Sequence, residues 1–131
     1  TGSGAFENGR PIRVSGRGID GGILCCGGLK SMRRLGRLEP FLDFADRALE
    51  ARTWGDGWGY CLVASGRAEA MIDPKVALWD VSAVSLIVAE AGGRFTRPDG
   101  GDALEAVDGG YSVLATNGVV HDEMVAAFSR G

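Results

Sequence analysis

The sequence predicts a layered α/β domain, and three observations lead there. Short apolar or alternating runs that suit strands take turns with longer segments whose apolar residues recur at helical spacing. The breaks between them carry Gly, Asn, Asp and Pro, which supply turn geometry. The 131 residues are 45% hydrophobic and 24% charged, the balance of a globular chain long enough for one core. Glycine, at 22 of the 131 residues, is more than twice its usual share of about 7%. Scattered among periodic segments, it marks tight turns and close backbone approaches rather than low complexity.

Residues 4–15 form a predicted hairpin around Asn8-Gly9, a pair that accepts the positive φ angles of a two-residue turn. Pro11 cannot donate to a ladder, so its strand is expected at an edge. A lone hairpin is marginal in water, and no partner for its sheet is evident in the chain. Residues 21–26 predict a buried strand, and basic residues 31–36 a turn of helix or a loop. Phe41, Phe44, Ala45 and Ala48 occupy one face of a helix expected over 40–51, with Pro40 in its first turn. A brief strand at 52–54, a helix over 56–64 and a strand over 68–73 follow, and Asp73-Pro74 is expected to turn. The next helix spans 79–91, with Val84, Ile87, Val88 and Ala91 inward and Gly92-Gly93 as its cap. A strand at 94–96, a polar loop over 97–110 and a strand at 111–115 complete the pattern. A last helix then opens at Thr116-Asn117-Gly118, with Val120, Met124, Ala127 and Phe128 inward. No internal repeat or domain linker interrupts the chain.

A net charge of −3 and a pI near 5.1 argue against a nucleic-acid partner, which calls for a basic face. No apolar run approaches the roughly 20 residues that span a bilayer, and no signal peptide is recognisable. Cys25, Cys26 and Cys61 lack the spacing of a disulfide framework or a metal knuckle, so a cytoplasmic setting is expected. The chain begins at Thr1, inside a strand-turn-strand, as a cut-out piece would.

The stretch Leu78-Trp79-Asp80-Val81 places a carboxylate at the head of an otherwise apolar helix. A first-turn Asp can simply complement the helix dipole, worth about 0.3–1 kcal/mol. Its apolar neighbours place it at the margin of a buried region, where a carboxylate needs a cation or several donors. Mg²⁺ takes hard oxygen ligands of this kind. Asp73, seven residues earlier, can return to the same cleft or merely form an Asp-Pro turn. Gly55-Asp56-Gly57 sits at a strand-to-helix junction suited to anions, or to plain capping. No dinucleotide loop, Walker loop or G-x-S-x-G elbow is present. His121 is expected at the surface, Cys25-Cys26 in a buried strand, and Arg33, Arg34 and Arg37 in a solvated patch.

Two runs together carry a resemblance. Trp54-Gly55-Asp56-Gly57-Trp58-Gly59-Tyr60-Cys61-Leu62-Val63-Ala64-Ser65-Gly66-Arg67-Ala68-Glu69-Ala70 and Trp79–Gly93, with Ile87-Val88 and Gly92-Gly93, resemble the inositol monophosphatase family. Arg52-Thr53-Trp54-Gly55-Asp56 and Asp73-Pro74 look more like its histidinol-phosphatase branch, and the opening Gly2–Ser15 resembles the family's segment before its C-terminal half. Ser82 departs from the Ala or Cys more often found there. The family's D-P-[IL]-D-G-T motif, its upstream glutamates and its water-activating threonine are absent.

The resemblance implies the C-terminal part of the inositol monophosphatase / fructose-1,6-bisphosphatase fold. Residues 1–18 would be a hairpin belonging to the sheet of a missing N-terminal half, and 19–131 the C-terminal α/β domain. It implies that Asp80 ligates Mg²⁺, one ligand of a site with two or more ions. Asp73, Gly55 and Asp56 would contact the substrate. The parent would hydrolyse a small phosphorylated substrate, histidinol phosphate in histidine biosynthesis, as a homodimer, and the fragment alone would be inactive. An inositol-1-monophosphatase, a 3'(2'),5'-bisphosphate nucleotidase, or a non-catalytic module acting in assembly are the alternatives.

Overall fold

In a computed structural model, the protein is described over residues 4–53, 58–76, 78–103 and 111–129, with the backbone alone at 7, 58, 75 and 78–81. The chain runs β1 (Ala5–Glu7), β2 (Arg10–Ile12), β3 (Ile23–Cys26), α1 (Leu29–Arg34), α2 (Leu38–Arg47), β4 (Glu50–Thr53) and α3 (Trp58–Ala64). Then come β5 (Ala70–Val76), α4 (Leu78–Glu90), β6 (Arg94–Thr96), β7 (Tyr111–Thr116) and α5 (His121–Ser129). The main sheet has the order β4-β3-β5-β7-β6: β4, β3 and β5 are parallel, and β7 is antiparallel to both β5 and β6.

Because side chains alternate along a strand, each of the central strands feeds two cores. Leu24, Cys26, Ala70, Ile72 and Leu114 pack with Met32, Phe41, Phe44, Met124 and Phe128 under α1, α2 and α5. Cys25, Met71, Val113 and Ala115 pack with Tyr60, Val63 and Val88 under α3 and α4. The adjacent cysteines therefore lie buried on opposite faces of β3, in the strand expected for them.

Among the described residues β1 and β2 pair only with each other, through the Asn8-Gly9 turn, where φ is +52° and +79°. The hairpin rests Ala5 against Ala64 and Ala91, at the ends of α3 and α4. The α4 cap is as expected: Gly92, at φ +95°, donates to Ala89 O, and Gly93 donates to Val88 O, a Schellman arrangement.

Five expectations are corrected. The second helix starts at Leu38 and stops at Arg47 rather than running over 40–51, because Glu50–Thr53 is drawn into parallel pairing with β3. Asp73-Pro74 does not turn. β5 continues to Val76 with a shift of register against β7 after Asp73, a bulge that tolerates a proline without an N–H. On α4, Val88 and Ala91 are buried, but Ile87 is 39% exposed, since it lies a full 100° of helix rotation from Val88. Arg33 and Arg34 are exposed as expected, whereas Arg37 is half-buried and donates from Nη1 to Phe128 O.

His121 is fully buried rather than at the surface. Thr96 spends its hydroxyl proton on Arg97 O, and Thr116 Oγ1 accepts from Gly118 N. The ring therefore donates from Nε2 to Thr96 Oγ1 (2.8 Å) and accepts at Nδ1 from Thr116 (2.9 Å), the tautomer that this network assigns. Burial, reinforced by Arg94, pushes its pKa down to about 4.

At the amino ends of β3 and β5, the buried Glu69 carboxylate ties the chain together. Its Oε1 accepts from Ile23 N (2.6 Å), and its Oε2 from Ser15 Oγ (2.7 Å) and Arg17 Nε (3.1 Å). Asn117 adds to the knot: its Nδ2 donates to Ser15 Oγ and Arg17 O, and its Oδ1 accepts from Val119 N and Val120 N.

Two outcomes are expected. Glu69→Ala strands the Ile23 N–H and the Ser15 hydroxyl, and should lower the unfolding free energy by about 2–4 kcal/mol in urea titration; a loss below about 0.5 kcal/mol would refute the knot's role. His121 binds its proton more weakly folded than unfolded, so its contribution is whole above about pH 6.5 and is lost as pH falls toward about 4. That contribution is about 3 kcal/mol, and unfolding titrations between pH 7 and pH 5 should show the decline, flattened in His121→Asn.

Candidate functional site

The carboxyl ends of the parallel strands share one edge of the sheet, the place where open α/β sheets hold ligands. Cys26 pairs with both Thr53 and Ile72, so the next residues along these strands meet there. Gly27 N donates to Ile72 O at 2.8 Å, the last rung before β3 yields to α1. Asp73 follows Ile72 and lies on the face of β5 covered by α3 and α4, beside Tyr60. Ser112 donates to Pro74 O at 2.7 Å, holding the bulge against β7.

Asp73 is half-buried, and its Oδ2 accepts from the Tyr60 hydroxyl at 3.2 Å. Its Oδ1 passes close over Gly27, where a Cβ would stand 2.8 Å away. Only a glycine lets the strand backbone and the carboxylate approach so closely. Asp80 is the third residue of α4, four residues past the end of β5, and its side chain lies outside the described residues. Gly55 and Asp56 lie wholly outside the described residues, in the link between β4 and α3. Of the expected site residues, Asp73 alone has a described side chain, and it is at the edge that the strand topology singles out.

The neighbouring thiols are not nucleophiles. Burial pushes Cys26 up to about 11, with Asp73 adding to the shift, and Cys25 up to about 12. His121 is held neutral between two threonines, away from Asp73 and against α5's own core. Among the described residues no group of three His, Cys, Asp or Glu gathers as a metal site. Tyr60 was missed by the sequence reasoning. The signal was available: a tyrosine on the inward side of a short helix buries a hydroxyl that must find an acceptor.

A model of the inositol monophosphatase family matches residues 1–130. The chain belongs to that family. It is 36% identical over 136 residues to a histidinol-phosphatase of Mycobacterium tuberculosis, covering 99% of this chain and 51% of the relative. To an inositol-1-monophosphatase of Mesorhizobium japonicum it is 31% identical over 137 residues, covering 98% and 49%. The structure superposes on an inositol monophosphatase from Anabaena with a TM-score of 0.82 at 27% identity, over 98% of this chain and 52% of the other. The chain thus spans about half the length of the curated relatives it matches. Its mixed sheet and flanking helices are those of the family fold, and the family is generally metal-dependent. Among the described residues no helix is long and apolar enough to cross a membrane.

Proposed function

We propose that this chain is the C-terminal part of a Mg²⁺-dependent phosphomonoesterase that hydrolyses histidinol phosphate. The observation that carries the reading is the 36% identity to a histidinol-phosphatase along 99% of the chain. The weaker 31% identity to an inositol-1-monophosphatase keeps inositol phosphate as the second reading.

Asp80, with a hard oxygen donor at the start of α4, fits a Mg²⁺ ligand, and the remaining ligands belong to the half that carries D-P-[IL]-D-G-T. Ions held there would supply Lewis-acid chemistry toward the phosphoryl group and the attacking water. This chain's own contribution is to bind and orient. Asp73 pairs with the ammonium of the alcohol portion, and Gly55 and Asp56 are the further substrate contacts in this reading. Charge pairing of this kind favours a cationic amino alcohol over a neutral polyol.

The 1–18 hairpin extends the sheet of the other half, and residues 19–131 make the C-terminal domain. Two features support this division. The hairpin pairs with no other strand among the described residues, and two strands alone are marginal in water. α4 is apolar around its circumference, yet Leu86 and Ile87 are 47% and 39% exposed, a pattern of helices that are covered on every side. A cytoplasmic homodimer is our reading for the complete enzyme; three free cysteines support the reducing compartment.

The test is phosphate release from histidinol phosphate with and without Mg²⁺. The complete polypeptide should be active, the isolated 131-residue chain inactive, and Asp80→Asn in the complete polypeptide should lose at least about 100-fold in kcat, the scale of removing a group that stabilises the transition state. Full Mg²⁺-dependent activity in the isolated chain, or in Asp80→Asn, would overturn the reading.

A further inference from the structure

β4 closes one end of the main sheet, and among the described residues no strand lies on its outer side. Glu50 N donates inward to Gly22 O (3.4 Å), so Glu50 and Arg52 turn their backbone groups to β3, and Ala51 and Thr53 turn theirs outward. The outward N–H of Ala51 is met by Oε1 of the adjacent Glu50, at 3.2 Å. That contact is local and exchangeable: a ladder donor is held without a ladder. Leu49, immediately before the strand, is 73% exposed. The opposite edge differs, since β6 is three residues long and its single charge, Arg94, is tied to Asp122 of α5 at 2.7 Å.

The charges on this edge are a second observation. Glu50 and Arg52 stand two residues apart on one face, both exposed, and pair with each other at 3.3 Å. Charges on an edge usually keep strands apart, because like charges placed opposite each other repel. Opposite charges at i and i+2 invert that effect for one partner, a second copy running antiparallel. With the two-fold axis at Ala51, that residue faces the partner's Ala51 as a hydrogen-bonded pair, and Glu50 faces the partner's Arg52, twice by symmetry. The same register sets Leu49 against the partner's Thr53, whose methyl group covers an exposed leucine. We propose that β4 is an interface strand that pairs antiparallel, about Ala51, with β4 of a second copy. The Ala51 N–H then passes from Glu50 to the carbonyl of the partner's Ala51, and the Glu50 carboxylate turns to the partner's Arg52. A ladder this short fixes register and orientation; the area of a stable dimer comes from the surfaces it brings together. The inference deepens the homodimer reading above by naming its contact.

The test is the dimer dissociation constant of the complete polypeptide, measured by sedimentation over a dilution series. Arg52→Glu places two carboxylates opposite two carboxylates, and Glu50→Arg places cations opposite cations. Each variant alone should dissociate at least about 10-fold more readily. Mixed in equal amounts, the two variants set an acidic edge against a basic one and should form a heterodimer with roughly the native affinity. The double variant Glu50→Arg/Arg52→Glu, complementary to itself again, should recover the homodimer. Recovery in the mixture also shows that each variant is folded. Native affinity in both single variants, or no recovery in the mixture and the double variant, would overturn the inference and leave the homodimer reading standing, with the edge covered by other surface. A native polypeptide that stays monomeric would overturn both, without touching the phosphatase reading, which phosphate release tests separately.

Discussion

The constraint on which the rest of this structure depends is the burial of the Glu69 carboxylate. A buried carboxylate is tolerated only when its oxygens are supplied with donors, and the donors come from widely separated parts of the chain. Ser15 and Arg17 bring in the segment after the hairpin, and Ile23 brings in the head of β3. The backbone of Glu69 meets Ile23 O and Asn117 N, so the end of β7 and the cap of α5 close on the same point. Arg17 is itself half exposed, so its ion pair adds little, and most of the effect lies in the hydrogen bonds.

This knot has a consequence at the opposite end of β5. Asp73 lies four positions after Glu69, about 13 Å along a strand. Side chains alternate with a period of two, so a slip of one residue would carry Asp73 to the other face, away from Tyr60. Anchoring Glu69 therefore fixes the side on which Asp73 emerges. The hydrogen bonds that hold the amino edge also determine what the carboxyl edge presents, without any residue shared between the two.

Much of this was legible from the sequence. Asn8-Gly9, the apolar face of Phe41 and Phe44, the double-glycine cap and the buried strand at 111–115 follow from local chemistry, and the structure bears them out. What local chemistry missed depends on partners distant in the chain. The 38–47 helix gives way because a strand after it pairs with β3, and Pro74 stays in a strand because β7 accommodates a bulge. His121 was misread for the same reason: Thr96 and Thr116 arrive from neighbouring strands. Its spacing to Met124 and Phe128, at i+3 and i+7, did place it on the apolar face. In the candidate site, Asp73 could be named from its distance to Asp80, whereas its hydroxyl partner and the glycine beneath it emerge only from the fold.

The family is settled by a match along nearly the whole chain, and the substrate is the central claim built on it. Specificity of this kind is a ratio of kcat/KM values, set by how the site treats two competing alcohols. The direct measurement is that ratio for histidinol phosphate over inositol 1-phosphate, in the complete polypeptide with Mg²⁺. A carboxylate offered to an ammonium rather than a neutral hydroxyl predicts a preference of more than about tenfold for histidinol phosphate. Equal rates, or a preference for inositol 1-phosphate, would contradict the account.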